Sequence, residues 1–116
     1  MEADVFAIVA VSDFARGVAW FERLLGEPAT FVAHETEHVW TLAEHGSIAV
    51  DLRPERAGYA SVTVFLDDLD AFVAAAADRG IHPETQETYG NGVRKTTYLD
   101  PDGNELGFGG APIEGS

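Results

Sequence analysis

The richest cluster of metal-binding side-chain types lies between residues 34 and 45, where His34, His38 and His45 alternate with Glu35, Glu37 and Glu44. Imidazole and carboxylate are the donors that zinc, iron and manganese favour. On a helix, His34 and His38 would share one face. Thr36, Val39, Trp40 and Thr41 favour an extended chain instead. On a strand the two histidines still share a face but stand ~13 Å apart, too far to hold one ion. These residues are expected at the surface, as is His82 at the start of another extended run. Asp67, Asp68 and Asp70 resemble a calcium run, but they open a helix, where carboxylates complement the exposed N–H groups, and the remaining ligands of a calcium loop are missing. The chain has no cysteine, which excludes disulfides, thiolate metal sites and thiol nucleophiles. It contains no nucleophile elbow, P-loop or dinucleotide fingerprint.

The elements that would position a site come as one pattern written twice. VFAIVAVSDFARGVAWFERLLG (Val5–Gly26) and ASVTVFLDDLDAFVAAAADRG (Ala60–Gly80) each pass from a β-rich run through a helix-opening acid, Asp13 or Asp68, into an amphipathic helix closed by glycine. Phe14, Val18, Phe21 and Leu25 recur at helical spacing in the first copy, and Leu69, Phe72, Val73 and Ala76 share a face in the second. Three extended runs follow each helix: 30–33, 39–43 and 47–52, then 82–88, 93–99 and 105–108. Matched turns at Gly46 and Gly103 join the last two runs of each set. Arg53–Gly58, polar and containing Pro and Gly, links the copies. The fold class read from this is α+β: two βαβββ modules forming a curved mixed sheet around a concave groove. The whole chain, 1–116, is expected to be a single domain with repeats at about 4–52 and 59–110 and a linker at 53–58. The tail, 111–116, is expected to be loose. Neither copy can bury its apolar face alone, so a site is expected in the surface they build together.

With 116 residues the chain can bury a core without staples. Its net charge of -13 repels phosphate backbones and argues against nucleic acid as a partner. The same charge would steer cations, although its plainest role is solubility. No run approaches the ~20 apolar residues of a membrane span. The apolar start, 5–11, has no basic segment ahead of it, so no secretory signal is expected. The expected setting is the cytoplasm, without a membrane partner.

Strand parity marks a candidate binding face. Ala7, Val9 and Val11, like Val62, Val64 and Leu66, form the side that should pack under the helices. The opposite side carries Phe6, Ile8 and Ala10 in the first copy, and Tyr59, Ser61, Thr63 and Phe65 in the second. Hydroxyls mixed with aromatics suit a pocket wall; a core face whose hydroxyls bond nearby backbone is equally consistent. Trp40 and Tyr98 are candidates for flat stacking surfaces, with core or interface packing as the other reading. Arg94 and Lys95 are two of seven basic residues. Either, on a pocket-facing strand, could pair with a ligand carboxylate or with Asp51 or Glu105; parity alone does not decide between this and solvation.

VSDFARGVAWFERLLG and YLDPDGNELGF together resemble the two signatures of the vicinal oxygen chelate superfamily, which includes glyoxalase I, bleomycin-resistance proteins, fosfomycin-resistance enzymes and extradiol dioxygenases. The resemblance spans nearly the whole chain and implies the duplicated βαβββ fold. That fold hosts enzymes and pure binders alike. Metal-dependent relatives carry a His or Gln on the first strand of a copy, which falls here at Phe6 and Ser61. Their Glu on the last strand falls at Gly107, with a first-copy counterpart near Val50. None of these residues is a good ligand for a divalent ion. Asp51 and Glu105 are nearby carboxylates, but two carboxylates without a histidine make a poor transition-metal site.

The function expected from these residues is metal-independent binding of a small organic molecule, with no cofactor, as in bleomycin-resistance relatives that sequester a drug or metabolite. The expected ligand-binding residues are Phe6, Trp40, Asp51, Tyr59, Ser61, Thr63, Phe65, Tyr98 and Glu105, and the expected ligand is aromatic or cationic. The alternative is a metal-dependent lyase, isomerase or dioxygenase with displaced ligands, for example Asp51 and Glu105 with a histidine. A homodimer is expected, since an open sheet leaves strand edges and apolar surface that a second copy can cover.

Overall fold

The computed structural model describes residues 1–112; most of the expected loose tail, 113–116, lies outside the described residues. The first module is β1 (Val5–Val11), α1 (Phe14–Leu25), β2 (Phe31–His34), β3 (Glu37–Ala43) and β4 (Gly46–Leu52). A single 3-10 turn at Pro54–Arg56 leads to the second: β5 (Ser61–Leu66), α2 (Leu69–Asp78), β6 (Thr85–Thr88), β7 (Arg94–Leu99) and β8 (Glu105–Gly110). Each module is thus βαβββ. Each sheet has four strands, in the orders β1-β4-β3-β2 and β5-β8-β7-β6. In both, the first and last strands pair in parallel and the remaining neighbours antiparallel.

The helices begin where the acids predict. The Asp13 carboxylate accepts from the Arg16 N–H at 3.0 Å, and that of Asp68 from the Ala71 N–H at 3.0 Å, each satisfying an orphan donor of the first turn. α1 ends at Gly26, whose φ of 81° is left-handed and favours a residue without a Cβ.

One apolar cluster joins the modules. Val9, Phe21, Trp40 and Ile48 come from the first, and Leu69, Tyr98, Leu106 and Phe108 from the second. Ala7, Val62, Val64 and Leu66 pack against it, as strand alternation predicts. Polar contacts fasten the same seam. Arg79 donates from Nη2 to the Leu24 carbonyl at 3.0 Å, at the open end of α1. Ser12 N–H donates to Asp102 at 3.0 Å.

Asn104, fully buried, fixes the linker. Its Oδ1 accepts from Gly58 N–H at 3.1 Å and Ala60 N–H at 2.9 Å, while its Nδ2 donates to the Ala10 carbonyl and to Asp100 Oδ2, each at 2.8 Å. Asn104 takes the N–H groups of Gly58 and Ala60, so β5 starts at Ser61 rather than at Tyr59, although the Ala60 carbonyl already accepts from the Glu105 N–H at 2.9 Å. β8 runs on to Gly110, beyond the expected Phe108, because β7 starts at Arg94 and supplies a partner for each further residue.

Candidate ligand-binding site

Each sheet has one side under its helix and one open side, and the register assigns every residue to one of them. In the first module, Phe6, Ile8 and Ala10 on β1 lie beside Ser47, Ala49 and Asp51 on β4, followed by Glu37, Val39 and Thr41 on β3. In the second, Ser61, Thr63 and Phe65 on β5 lie beside Glu105, Gly107 and Gly109 on β8, followed by Lys95, Thr97 and Leu99 on β7. Seven of the nine expected binding residues map to the open sides or their margin. Phe6 (47% exposed), Phe65 (63%) and Tyr59 (88%) present large apolar side chains to solvent.

Trp40 and Tyr98 are placed differently from the expectation. Trp40 pairs with Ile48 and Tyr98 with Leu106 on the helix-facing sides, and both are 0% exposed. Trp40 packs on Phe21 and donates from Nε1 to the Glu27 carbonyl at 3.0 Å. Tyr98 packs edge-on against Phe108. Its buried hydroxyl has no hydrogen-bond partner among the described residues, and burial pushes its pKa above 10.0. Neither ring is available as a stacking surface in this chain.

The carboxylates are also unequal. Asp51 is buried and accepts from Arg53 Nε at 2.6 Å, so its charge is already matched. Glu105 is exposed and, among the described residues, forms no ion pair. Its strand position on β8 corresponds to Ser47 in the first module, so it does not stand beside Asp51.

The residues present do not fit the metal of the metal-dependent relatives. The register shows that the first-module counterpart of Gly107 is Ala49, which faces Ile8 as Gly107 faces Thr63. Val50 belongs to the helix-facing side. The four positions are therefore Phe6, Ala49, Ser61 and Gly107, which together offer a single hydroxyl. Lys95 lies across the last of them: a Cβ on Gly107 would stand 2.7 Å from Lys95 Cε and 3.5 Å from Nζ. Phe65 covers Gly109 in the same way, its ring edge 2.9 Å from where a Cβ would be. Among the described residues no group of three or more His, Asp or Glu side chains is placed to hold an ion. The histidines are separated. His34 lies 3.7 Å from Glu37, His45 pairs with Asp4 at 2.9 Å, and His38 packs edge-on against Phe14 under the first sheet.

Sequence reasoning left the orientation of Arg94 and Lys95 open and missed Arg53 and Arg56. Lys95 falls on the open side, whereas its neighbour Arg94 falls on the helix side and pairs with Asp70 at 2.7 Å. The hairpin register across GlyAsnGly decides between them, and parity within one strand could not. Arg53 and Arg56, read only as linker, line a cavity of about 320 Å³ with Ile8, Ala10, Tyr59 and Ala60.

Two βαβββ modules in succession, each with one sheet side under its helix, define a duplicated α+β fold. A family model described as the glyoxalase/bleomycin resistance protein/dioxygenase superfamily matches residues 4–108, and the chain belongs to that superfamily. A glyoxalase/bleomycin resistance protein from Catenulispora acidiphila DSM 44928 superposes with a TM-score of 0.93 at 50% identity, covering 96% of this chain and 100% of that one. A bleomycin-binding protein complexed with bleomycin matches at 0.73 and 21% identity, over 95% and 98% of the two chains. The lactoylglutathione lyase of Agrobacterium tumefaciens matches at 0.74 and 16%, over 100% and 98%. The last two likenesses concern the fold alone. No curated protein matches the chain at a significant level. No helix among the described residues is long and apolar enough to cross a membrane.

Proposed function

We propose that this protein binds a small, partly aromatic organic molecule without a metal, holding it on the open faces of its two modules and sequestering it rather than converting it. The observation that carries this reading is the replacement of the metal-ligand positions by Phe6, Ala49, Ser61 and Gly107 on the two sheet sides that also expose Phe6 and Phe65. Such a surface offers ring stacking and a few hydroxyl contacts, the usual content of a small-molecule pocket. In a single chain Phe6, Phe65 and Tyr59 stand exposed on this face, while Val39 and Ala49 in its first-module part are buried. A second copy of the chain closes it into a groove and removes the apolar surface from water. The bleomycin-binding relative holds its drug on the same fold, which supports sequestration as the concrete form. An enzyme with displaced ligands is disfavoured because Asp51 is buried against Arg53 and Glu105 occupies a different strand position in the other module. The cytoplasm is the proposed compartment.

A thermal-shift screen of planar organic compounds, run in excess EDTA, tests the reading. Hits should stabilise the folded chain by about 2.7 kcal/mol at a hundred times their dissociation constant and should be recovered unchanged. Hits that need an added metal, or that are recovered as product, would replace the binder with the enzyme.

A further inference from the structure

We infer that the cavity at the junction of β1 and the linker is a subsite for a negatively charged group, a carboxylate or its equivalent, on the bound molecule. This rests on the groove reading above and replaces the expected cationic ligand with one that carries an anion at one end.

The chain has seven basic residues against twenty acidic ones. Arg79 is consumed at the carboxyl end of α1, and Arg94 by Asp70. Arg16 and Arg23 lie on α1. The remaining three, Arg53, Arg56 and Lys95, all stand on or beside the open faces, although the chain as a whole is strongly acidic. Two of them share one cavity. Arg53 is pinned there by Asp51 at 2.6 Å and by its backbone N–H, which donates to the Val11 carbonyl at 3.0 Å. Arg56 N–H donates to the Arg53 carbonyl at 3.0 Å, so the turn holds both guanidinium stems on one short segment. Among the described residues Arg56 has no carboxylate partner. The nearest acids in sequence are Asp51, already paired, and Glu55.

The cavity, about 320 Å³, is of a size to take a ring with one substituent. Its floor is apolar, Ile8 and Ala10, and Tyr59 stands exposed at its margin. A planar anion could stack on the tyrosine while its oxygens accept from the Arg56 guanidinium, whose planar fork suits a carboxylate. The cavity adjoins the β1 side of the proposed groove, so one molecule could reach from Arg56 to Phe6.

Three probes with one ring and different charge provide the test: naphthoate, naphthylmethanol and naphthylmethylammonium, each titrated calorimetrically into the full chain, with amide chemical shifts followed by NMR. Naphthoate should bind about tenfold tighter than naphthylmethanol, as expected for a charge-assisted hydrogen bond, and naphthylmethylammonium weakest. Shifts should centre on Arg53 to Ala60 and on Ile8 and Ala10. Arg56→Gln should remove the preference for naphthoate, Arg56→Lys should keep part of it, and Arg16→Gln, on the surface of α1, should leave it unchanged. If naphthylmethanol binds as well as naphthoate, or Arg56→Gln leaves the preference intact, the subsite is wrong while the groove reading stands. If neither naphthoate nor naphthylmethanol binds at millimolar concentration, both readings fail.

Discussion

The side chain of Lys95 crosses its own sheet and lies on Gly107, so that a Cβ at that position would stand 2.7 Å from Lys95 Cε. In metal-dependent relatives the position corresponding to Gly107 carries a carboxylate. Here the space above it is taken by a cation, which disfavours a second positive charge nearby. Restoring the carboxylate alone should therefore not restore a metal site. Gly107→Glu should ion-pair with Lys95, whose flexible end can move aside. Added zinc should leave the melting temperature of the variant unchanged. A stoichiometric zinc-dependent rise in this single variant would show that the rest of the donor set is still present.

The exposed rings of the open face predict the assembly. A homodimer that covers Phe6 and Phe65 should scatter light with about twice the mass of the 12.5 kDa chain. Phe65→Asp, which puts a charge into that contact, should shift the particle to the single-chain mass while the far-UV dichroism is retained. A particle of single-chain mass across a wide concentration range, for the unaltered protein, would refute the dimer.

Asn104 reaches both modules and the linker through four hydrogen bonds while fully buried. Asn104→Ala leaves several buried groups without partners and should cost about 2–4 kcal/mol, read from urea unfolding. Asn104→Asp keeps the acceptor for Gly58 and Ala60 but loses the donor to Ala10. It should also be destabilising, because it sets a carboxylate against Asp100. A loss within ~0.5 kcal/mol for the alanine variant, the range of an ordinary surface change, would mean that the linker holds its path by other means.

Most of the fold was legible because it repeats. Asp13 with Gly26, and Asp68 with Gly80, bracket two helices of the same design, and the alternation Ala7–Val9–Val11 or Val62–Val64–Leu66 names the buried side of each first strand. The open face was legible for the same reason at Phe6, Ser61, Thr63 and Phe65. The last strands were harder. Val50 and Asp51 look interchangeable in sequence, yet one residue of register turns Val50 into the core and leaves Asp51 under Arg53. Trp40 and Tyr98 misled because an aromatic on a strand fits either side; only pairing with Ile48 and Leu106 sends them inward. Arg53 and Arg56 were hidden by their segment, since a polar turn with proline reads as a connection and nothing local shows that it closes a cavity against β1.

Asp100 gives the protein a defined pH response. Burial pushes its carboxyl above 3.8, against the pull of the hydrogen bonds it accepts from Asn104 and Asp102. The folded chain therefore binds this proton more readily than the unfolded chain. The stability contributed by protonation is fully present below the unfolded pKa and is lost as pH rises through the folded one. Relative to Asp100→Asn, which does not titrate, the unaltered protein should gain stability as pH falls from neutral toward about pH 4. Urea unfolding of both proteins across that range checks the sign, and a difference that stays constant or shrinks on acidification would contradict it.

Binding at the open face without a metal is tested most directly by calorimetric titration of naphthylmethanol into EDTA-dialysed protein. The uncharged probe keeps this test independent of the anion subsite. The expected result is saturable binding that added zinc does not change, that is about tenfold weaker in Phe6→Ala because a stacking surface is lost, and that leaves the probe intact. Binding that appears only after zinc or another divalent ion is restored, or that is indifferent to Phe6→Ala, would contradict binding at the open face without a metal.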